Sequence, residues 1–177
     1  AEQYAREAFE RYGADALTLS PFMGFDSIEP YLRWEGKGLF LLCRTSNPGG
    51  ADLQAQPLQG GELLYERIAR LAAGPWNRGG QLGLVVGATY PREVERVRAL
   101  APTLPLLIPG VGAQGGDAVA TVRAGWRGDG GGTRAAIIVN SSRAVLYASA
   151  GDDFAAAARA AAIQARAQLQ SARMRPG

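Results

Sequence analysis

Short aliphatic runs alternate with helix-patterned segments along this chain, and that alternation restricts the fold more than any other feature. The runs are Ala16–Phe22, Gly38–Thr45, Leu82–Thr89, Leu104–Ile108 and Ala135–Val139. Each is short, nearly continuous in apolar residues and bounded by glycine, proline or polar residues, the pattern of a strand buried on both faces. Between them lie stripes at helical spacing: Tyr4, Ala5, Ala8, Phe9 and Tyr12 before Gly13, then Ser27 to Trp34, and Leu64, Ile68 and Leu71. Another helix begins at Pro91, well placed as a first helical residue, and one opens at Asp117 with Val119 and Val122 on one side. The last starts near Asp152-Asp153, which can cap it, and continues through an alanine-rich stretch. Strand–helix alternation predicts a parallel sheet covered by helices, and periodicity alone predicts an open five-stranded α/β sheet.

In such sheets ligands bind beyond the carboxyl ends of the strands. The glycine-rich and polar motifs all fall there: Ser20–Gly24, Arg44–Gly50, Gly87–Thr89, Pro109–Asp117 and Asn140–Arg143. The other ends carry blander turns such as Gly36-Lys37-Gly38. The Pro109 loop runs from a strand into a helix N-terminus, where open amides and the helix dipole hold anions. Arg143 follows the next strand and offers a guanidinium. With Gln114 it forms a candidate clamp for a phosphate monoester.

Composition narrows the chemistry. The 177 residues suit one domain, and 47% hydrophobic with 20% charged residues is ordinary for a globular chain. No apolar run approaches the roughly 20 residues that span a bilayer, so no membrane partner is expected. The net charge of +3 is dispersed without interleaved aromatics, so no nucleic-acid partner is expected either. Histidine is absent, which removes serine–histidine triads and imidazole metal sites, and no metal is expected. Cys43 is the single cysteine and reads as a buried small hydrophobe in a reducing, cytoplasmic setting. Lys37 is the single lysine, against eighteen arginines.

Five motifs in order resemble orotidine 5'-phosphate decarboxylase, in particular its longer bacterial subfamily. They are Thr18–Gly24, Cys43–Gly50, Leu84–Thr89, Pro109–Asp117 and Asn140–Ala144, and they span essentially the whole chain. The resemblance implies a TIM (β/α)8 barrel of the ribulose-phosphate-binding type, with these runs as strands four to eight. Residues 1–177 would be one domain, the C-terminal portion of the barrel, with strands one to three outside it. It further implies cofactor-free and metal-free decarboxylation of orotidine 5'-phosphate to UMP in pyrimidine synthesis, by a cytoplasmic homodimer. By motif, Gln114 matches the glutamine that closes over the phosphate, Arg143 the arginine that pairs with it, and Ser142 the amide beside it. Ser46 matches the serine that bonds the pyrimidine, and Pro109 lines the base pocket.

The family's catalytic signature, Asp-x-Lys-x-x-Asp, is not in this chain. Lys37 precedes its strand and so belongs to the opposite face. The expectation is that the signature lies upstream, that the 177 residues alone are inactive, and that the catalytic residues are not named by this sequence. Two other functions fit part of the pattern: a hexulose-phosphate synthase-like enzyme on the same barrel, and a non-catalytic phosphate-ligand-binding fragment. Gly128–Gly132 leads into a strand and reads as a flexible connection. Arg159, Arg166, Arg173 and Arg175 suit a helix C-terminus without needing partners.

Overall fold

The computed structural model describes residues 1–112, 116–128 and 135–174. Helix α1 (Glu2–Arg6) continues as a wider turn over Glu7–Arg11 and ends before Gly13. There follow β1 (Ala16–Leu19), α2 (Glu29–Leu32), β2 (Gly38–Arg44), α3 (Leu64–Ala73), β3 (Leu82–Val86) and α4 (Pro91–Leu100). The second half holds β4 (Leu106–Pro109), α5 (Ala118–Gly125), β5 (Ile137–Asn140), α6 (Arg143–Leu146) and α7 (Phe154–Arg173). All five expected strands form, each shorter than its apolar run. A short helix, α6, that the sequence reading does not separate begins at Arg143.

The strands make one sheet in the order β1-β2-β3-β4-β5, every pair parallel. Chain order equal to sheet order means that each crossover steps to the next strand on the same side, as in an arc of a barrel. The helix-facing residues Leu39, Leu41, Leu84, Val86, Leu106 and Ile108 are essentially inaccessible. Each such side chain contributes roughly 1.5–3 kcal/mol over an exposed one. Central β3 is buried throughout, whereas β1 and β5 alternate between exposed and half-buried residues. On the outer face Phe9 packs edge-on to Tyr31 and against Trp34, fixing the wider turn after α1 on α2 and the residues that follow it.

At the amino ends of the strands lies a feature that periodicity does not signal. Arg98, on α4, is 1% exposed, and no carboxylate pairs with it among the described residues. It donates instead to the carbonyls of Leu104 (2.6 Å), Gly125 (2.9 Å), Ala135 (3.0 Å) and Ala101 (3.2 Å). One guanidinium thus ties together the end of α5 and the entries to β4 and β5. Burial pushes its pKa down to about 10, the nearby Arg127 charge adding to the effect. Ala135 holds a left-handed φ of 63°, which costs an alanine energy, and its carbonyl is one of the anchored acceptors.

Two expectations about α7 need correction. Asp153 stands at the N-cap, but its carboxylate accepts from Ser149 Oγ (2.5 Å) and makes no capping bond. Arg173 does have a partner: its guanidinium lies over the Trp126 ring, 4.4 Å from the centroid. That contact holds the end of α7 on the end of α5, where stacking outweighs solvation of an exposed arginine.

Candidate functional site

The carboxyl ends of the strands collect the predicted residues. Pro109 closes β4 and sits in register with Asn140, the last residue of β5. Pro109, Gly110, Val111, Asn140, Ser141, Ser142 and Arg143 line a cavity of about 240 Å³. Ser142 stands at the N-cap position of α6 without a side-chain capping bond, and Arg143 is the helix's first residue. The Val145 and Leu146 amides already donate to Ser142 O (3.1 and 2.8 Å), which leaves the Arg143 and Ala144 amides without an acceptor inside the helix, beside the Arg143 guanidinium. Arg143 is exposed, and among the described residues no carboxylate pairs with it. A positive, donor-rich cavity of this size suits a phosphate group.

The loop after β4 is pinched at its base. Gly112 N donates to Gly116 O (3.0 Å) and Gly116 N to Gly110 O (3.1 Å). A Cβ on Gly116 would stand 2.6 Å from both the Ala88 side chain and the Gly110 carbonyl, so only glycine allows the closure. Asp117 then caps α5, accepting from Ala120 N at 2.6 Å, as its place before the helical pattern predicts. Gln114 lies outside the described residues, and so does Gly128–Gly132 beyond its first residue.

Ser46 does not line this cavity; it stands two strands away, just past β2. The two are joined by the turn after β3. Gly87 N donates to Arg44 O (2.7 Å), and Thr89 Oγ1 donates to Ser46 O (3.1 Å). A Cβ on Gly87 would meet the Ser46 backbone at 2.6 Å, so the Ser46 loop rests directly on that glycine. On its other side Ala88 N donates to Pro109 O (2.8 Å). The sequence Ser46–Gly87–Ala88–Pro109 therefore forms one continuous floor across three strand ends.

Beneath Ser46 the structure adds residues to which the sequence reading gives no role. Arg44 closes β2 with its side chain 3% exposed, its Nε 2.6 Å from Glu93 Oε2 in the first turn of α4. Its guanidinium lies 4.1 Å from the centroid of the Tyr90 ring. Gln54 Oε1 accepts from Thr45 N (2.8 Å), and Gln54 Nε2 donates to Thr45 Oγ1 (3.0 Å). Thr45 Oγ1 in turn donates to Asn47 Oδ1 (2.6 Å). The available signal was a charge ending an otherwise apolar run.

Cys43 behaves as a core residue. It is inaccessible, its thiol donates to Tyr65 O (3.2 Å), and burial pushes its pKa far above the usual thiol range. A thiolate nucleophile is thereby excluded at neutral pH. Lys37 lies at the amino ends of the strands, 3.6 Å from Asp15 and above the Phe9 ring, away from the cavity. Among the described residues no cluster of three or more Cys, Asp or Glu side chains could hold a metal ion.

A model of the Orotidine 5'-phosphate decarboxylase / HUMPS family matches residues 1–161. The chain is 73% identical over 182 residues to the orotidine 5'-phosphate decarboxylase of Albidiferax ferrireducens, a match covering 98% of this chain and 63% of that protein. Against the one from Polaromonas naphthalenivorans it is 74% identical over 176 residues, covering 98% of this chain and 61% of the other. The chain thus spans a little under two thirds of the length of these curated relatives. Among solved structures, Leishmania donovani OMP decarboxylase superposes with a TM-score of 0.80 at 41% identity, covering 99% of this chain and 63% of that one. Leishmania donovani UMP synthase does so with a TM-score of 0.81 at 45% identity, over 95% of this chain and 36% of the other. With the family model matched over most of its length and its parallel sheet forming part of the same β/α barrel, this chain belongs to the orotidine 5'-phosphate decarboxylase / HUMPS family.

Proposed function

We propose that these 177 residues form the nucleotide-holding part of an orotidine 5'-phosphate decarboxylase. The observation that carries this reading is the cavity at the ends of β4 and β5, which Pro109, Ser142 and Arg143 line together. In this reading Arg143 and the Ser142 amide grip the 5'-phosphate, and Gln114 closes over it. Pro109 walls the base, and Ser46 bonds the pyrimidine across the floor formed by Gly87 and Ala88. The reaction breaks the bond between the pyrimidine ring and its carboxylate, leaving the electron pair on the ring carbon and releasing carbon dioxide. A lysine then protonates that carbon. The Asp-x-Lys-x-x-Asp signature is assigned to a segment outside these residues, and the chain to the C-terminal portion of a single barrel domain. A cytoplasmic homodimer belongs to the same reading. Binding energy from the remote phosphate is used to order the site around the reacting carbon.

The Thr45–Gly50 loop supports the decarboxylase over a hexulose-phosphate synthase-like enzyme. In a family-length polypeptide carrying these residues, UMP should compete with orotidine 5'-phosphate, and a hexulose 6-phosphate should not. Preference for the sugar phosphate would overturn the reading in favour of the synthase. Arg143→Ala should weaken UMP binding by about 10- to 100-fold, the range of a charge-assisted contact of roughly 1.5–3 kcal/mol. Unchanged affinity, measured by calorimetry, would remove Arg143 from the phosphate site.

A further inference from the structure

The arginine beneath the Ser46 loop is more than a core residue that happens to be charged. A buried guanidinium is costly unless its geometry repays desolvation, and replacing such a pair with apolar residues is often neutral or stabilising. Arg44 Nε and Glu93 Oε2 are both buried and 2.6 Å apart, yet aligned as an ion pair rather than as a hydrogen bond. A buried pair is therefore weak evidence for stability, which does not by itself account for the arrangement. Its location does. Arg44 is the last residue of β2, its carbonyl receives Gly87 N, and its Nη1 donates to Thr45 O at 3.3 Å. Glu93 and Tyr90 belong to the element that follows Gly87–Thr89, the turn on which Ser46 rests. The pair therefore clamps the two segments that hold Ser46 from below and from the side.

We infer that Arg44 and Glu93 are positioning residues, which fix the Ser46 loop against the β3–α4 turn and so set recognition of the pyrimidine, while the phosphate end is set separately by β4 and β5. The inference rests on the proposed role of Ser46 as the pyrimidine contact. It separates two contacts in space. The β2 and β3 ends set the Ser46 contact to the base. Ser142 and Arg143, after β5, hold the phosphate, with Pro109 walling the base between them.

The test compares two probes, UMP and ribose 5-phosphate, on a family-length polypeptide carrying this chain. Ribose 5-phosphate keeps the phosphate and sugar but lacks the base. Ser46→Ala, Arg44→Lys and Glu93→Gln should each weaken UMP by about tenfold relative to ribose 5-phosphate, and Ser46→Ala combined with Glu93→Gln should fall well short of the product of the two. Partial unfolding lowers the apparent affinity for both probes by the same competent fraction, so their ratio is insensitive to it. Thr89→Val removes the donor to Ser46 O and leaves the buried pair intact. It should shift the ratio in the same direction. If Ser46→Ala shifts the ratio while Arg44→Lys and Glu93→Gln do not, or if the double variant is fully multiplicative, the positioning role is overturned and the pyrimidine contact stands. If Ser46→Ala itself leaves the ratio unchanged, both fall.

Discussion

Single residues in this chain divide by the end of the sheet they occupy. Arg44 and Arg98 are both buried arginines that close or precede strands, yet they do opposite work. Arg98 faces only carbonyls at the amino ends, where it gathers the entries to β4 and β5. Its replacement by methionine keeps the apolar stem but removes the guanidinium donor from the carbonyls of Leu104, Gly125 and Ala135. It should destabilise the fold by about 3 kcal/mol or more, read from urea denaturation. UMP affinity per folded molecule should be unchanged, because the cavity lies at the other end. Nothing in the sequence separated Arg98 from the other arginines, and Arg44 was marked only by ending an apolar run, since burial of a charge is decided by what surrounds it. Ser142, Arg143 and Pro109 were legible because the strand pattern places them at one sheet end.

At the scale of elements, α3 and α4 are joined by Glu66, whose carboxylate accepts from Arg96 Nε (2.5 Å) and from the Leu63 amide (3.0 Å). The hydrogen bond from Arg96 is the largest cause that lowers the Glu66 pKa in the folded state. A lowered carboxylate contributes stability that is complete above the unfolded value, near 4.5, and is lost as pH falls through the folded value. Over that window the unfolded chain binds more protons, so stability falls with acidification. Arg96 is 48% exposed, so solvent screening keeps the contribution small. Glu66→Gln should therefore flatten the decline in urea midpoint as the pH falls below the unfolded carboxyl value near 4.5. A second element-scale expectation concerns caps. Asp117 bonds the α5 amide and Asp153 does not bond that of α7. Asp117→Ala should thus cost about 1 kcal/mol and Asp153→Ala much less, a contrast that thermal melts resolve.

The whole molecule is an arc of sheet with two unpaired edges. Among the described residues nothing pairs with the outer edge of β1 or of β5, and Ile138 on β5 is 46% exposed. Phe22 and Met23, beyond β1, are each 77% exposed. Unpaired parallel edges with apolar neighbours promote association. Expressed alone, the 177 residues should self-associate at micromolar concentration rather than elute as an 18.6 kDa monomer in light scattering. A well-folded, monodisperse monomer would show that the edges are protected by the chain itself.

The sequence by itself determined the strand count, their parallel alternation with helices, and the collection of glycine and polar motifs at one end. These follow from local periodicity, because a strand buried on both faces must be apolar throughout and a covering helix must carry a stripe. It also placed Pro109, Ser142 and Arg143 on the face where they meet. Only the tertiary structure decided that Ser46 reaches the same floor through Gly87 and Ala88 rather than by direct contact. It likewise decided that Arg44 pairs with Glu93 forty-nine positions on, that Arg98 serves carbonyls alone, and that Arg173 stacks on Trp126. Each of these depends on distant segments meeting, and a side chain's partner across such a separation is set by the sheet's register and by burial. Neither is written in the residues next to it.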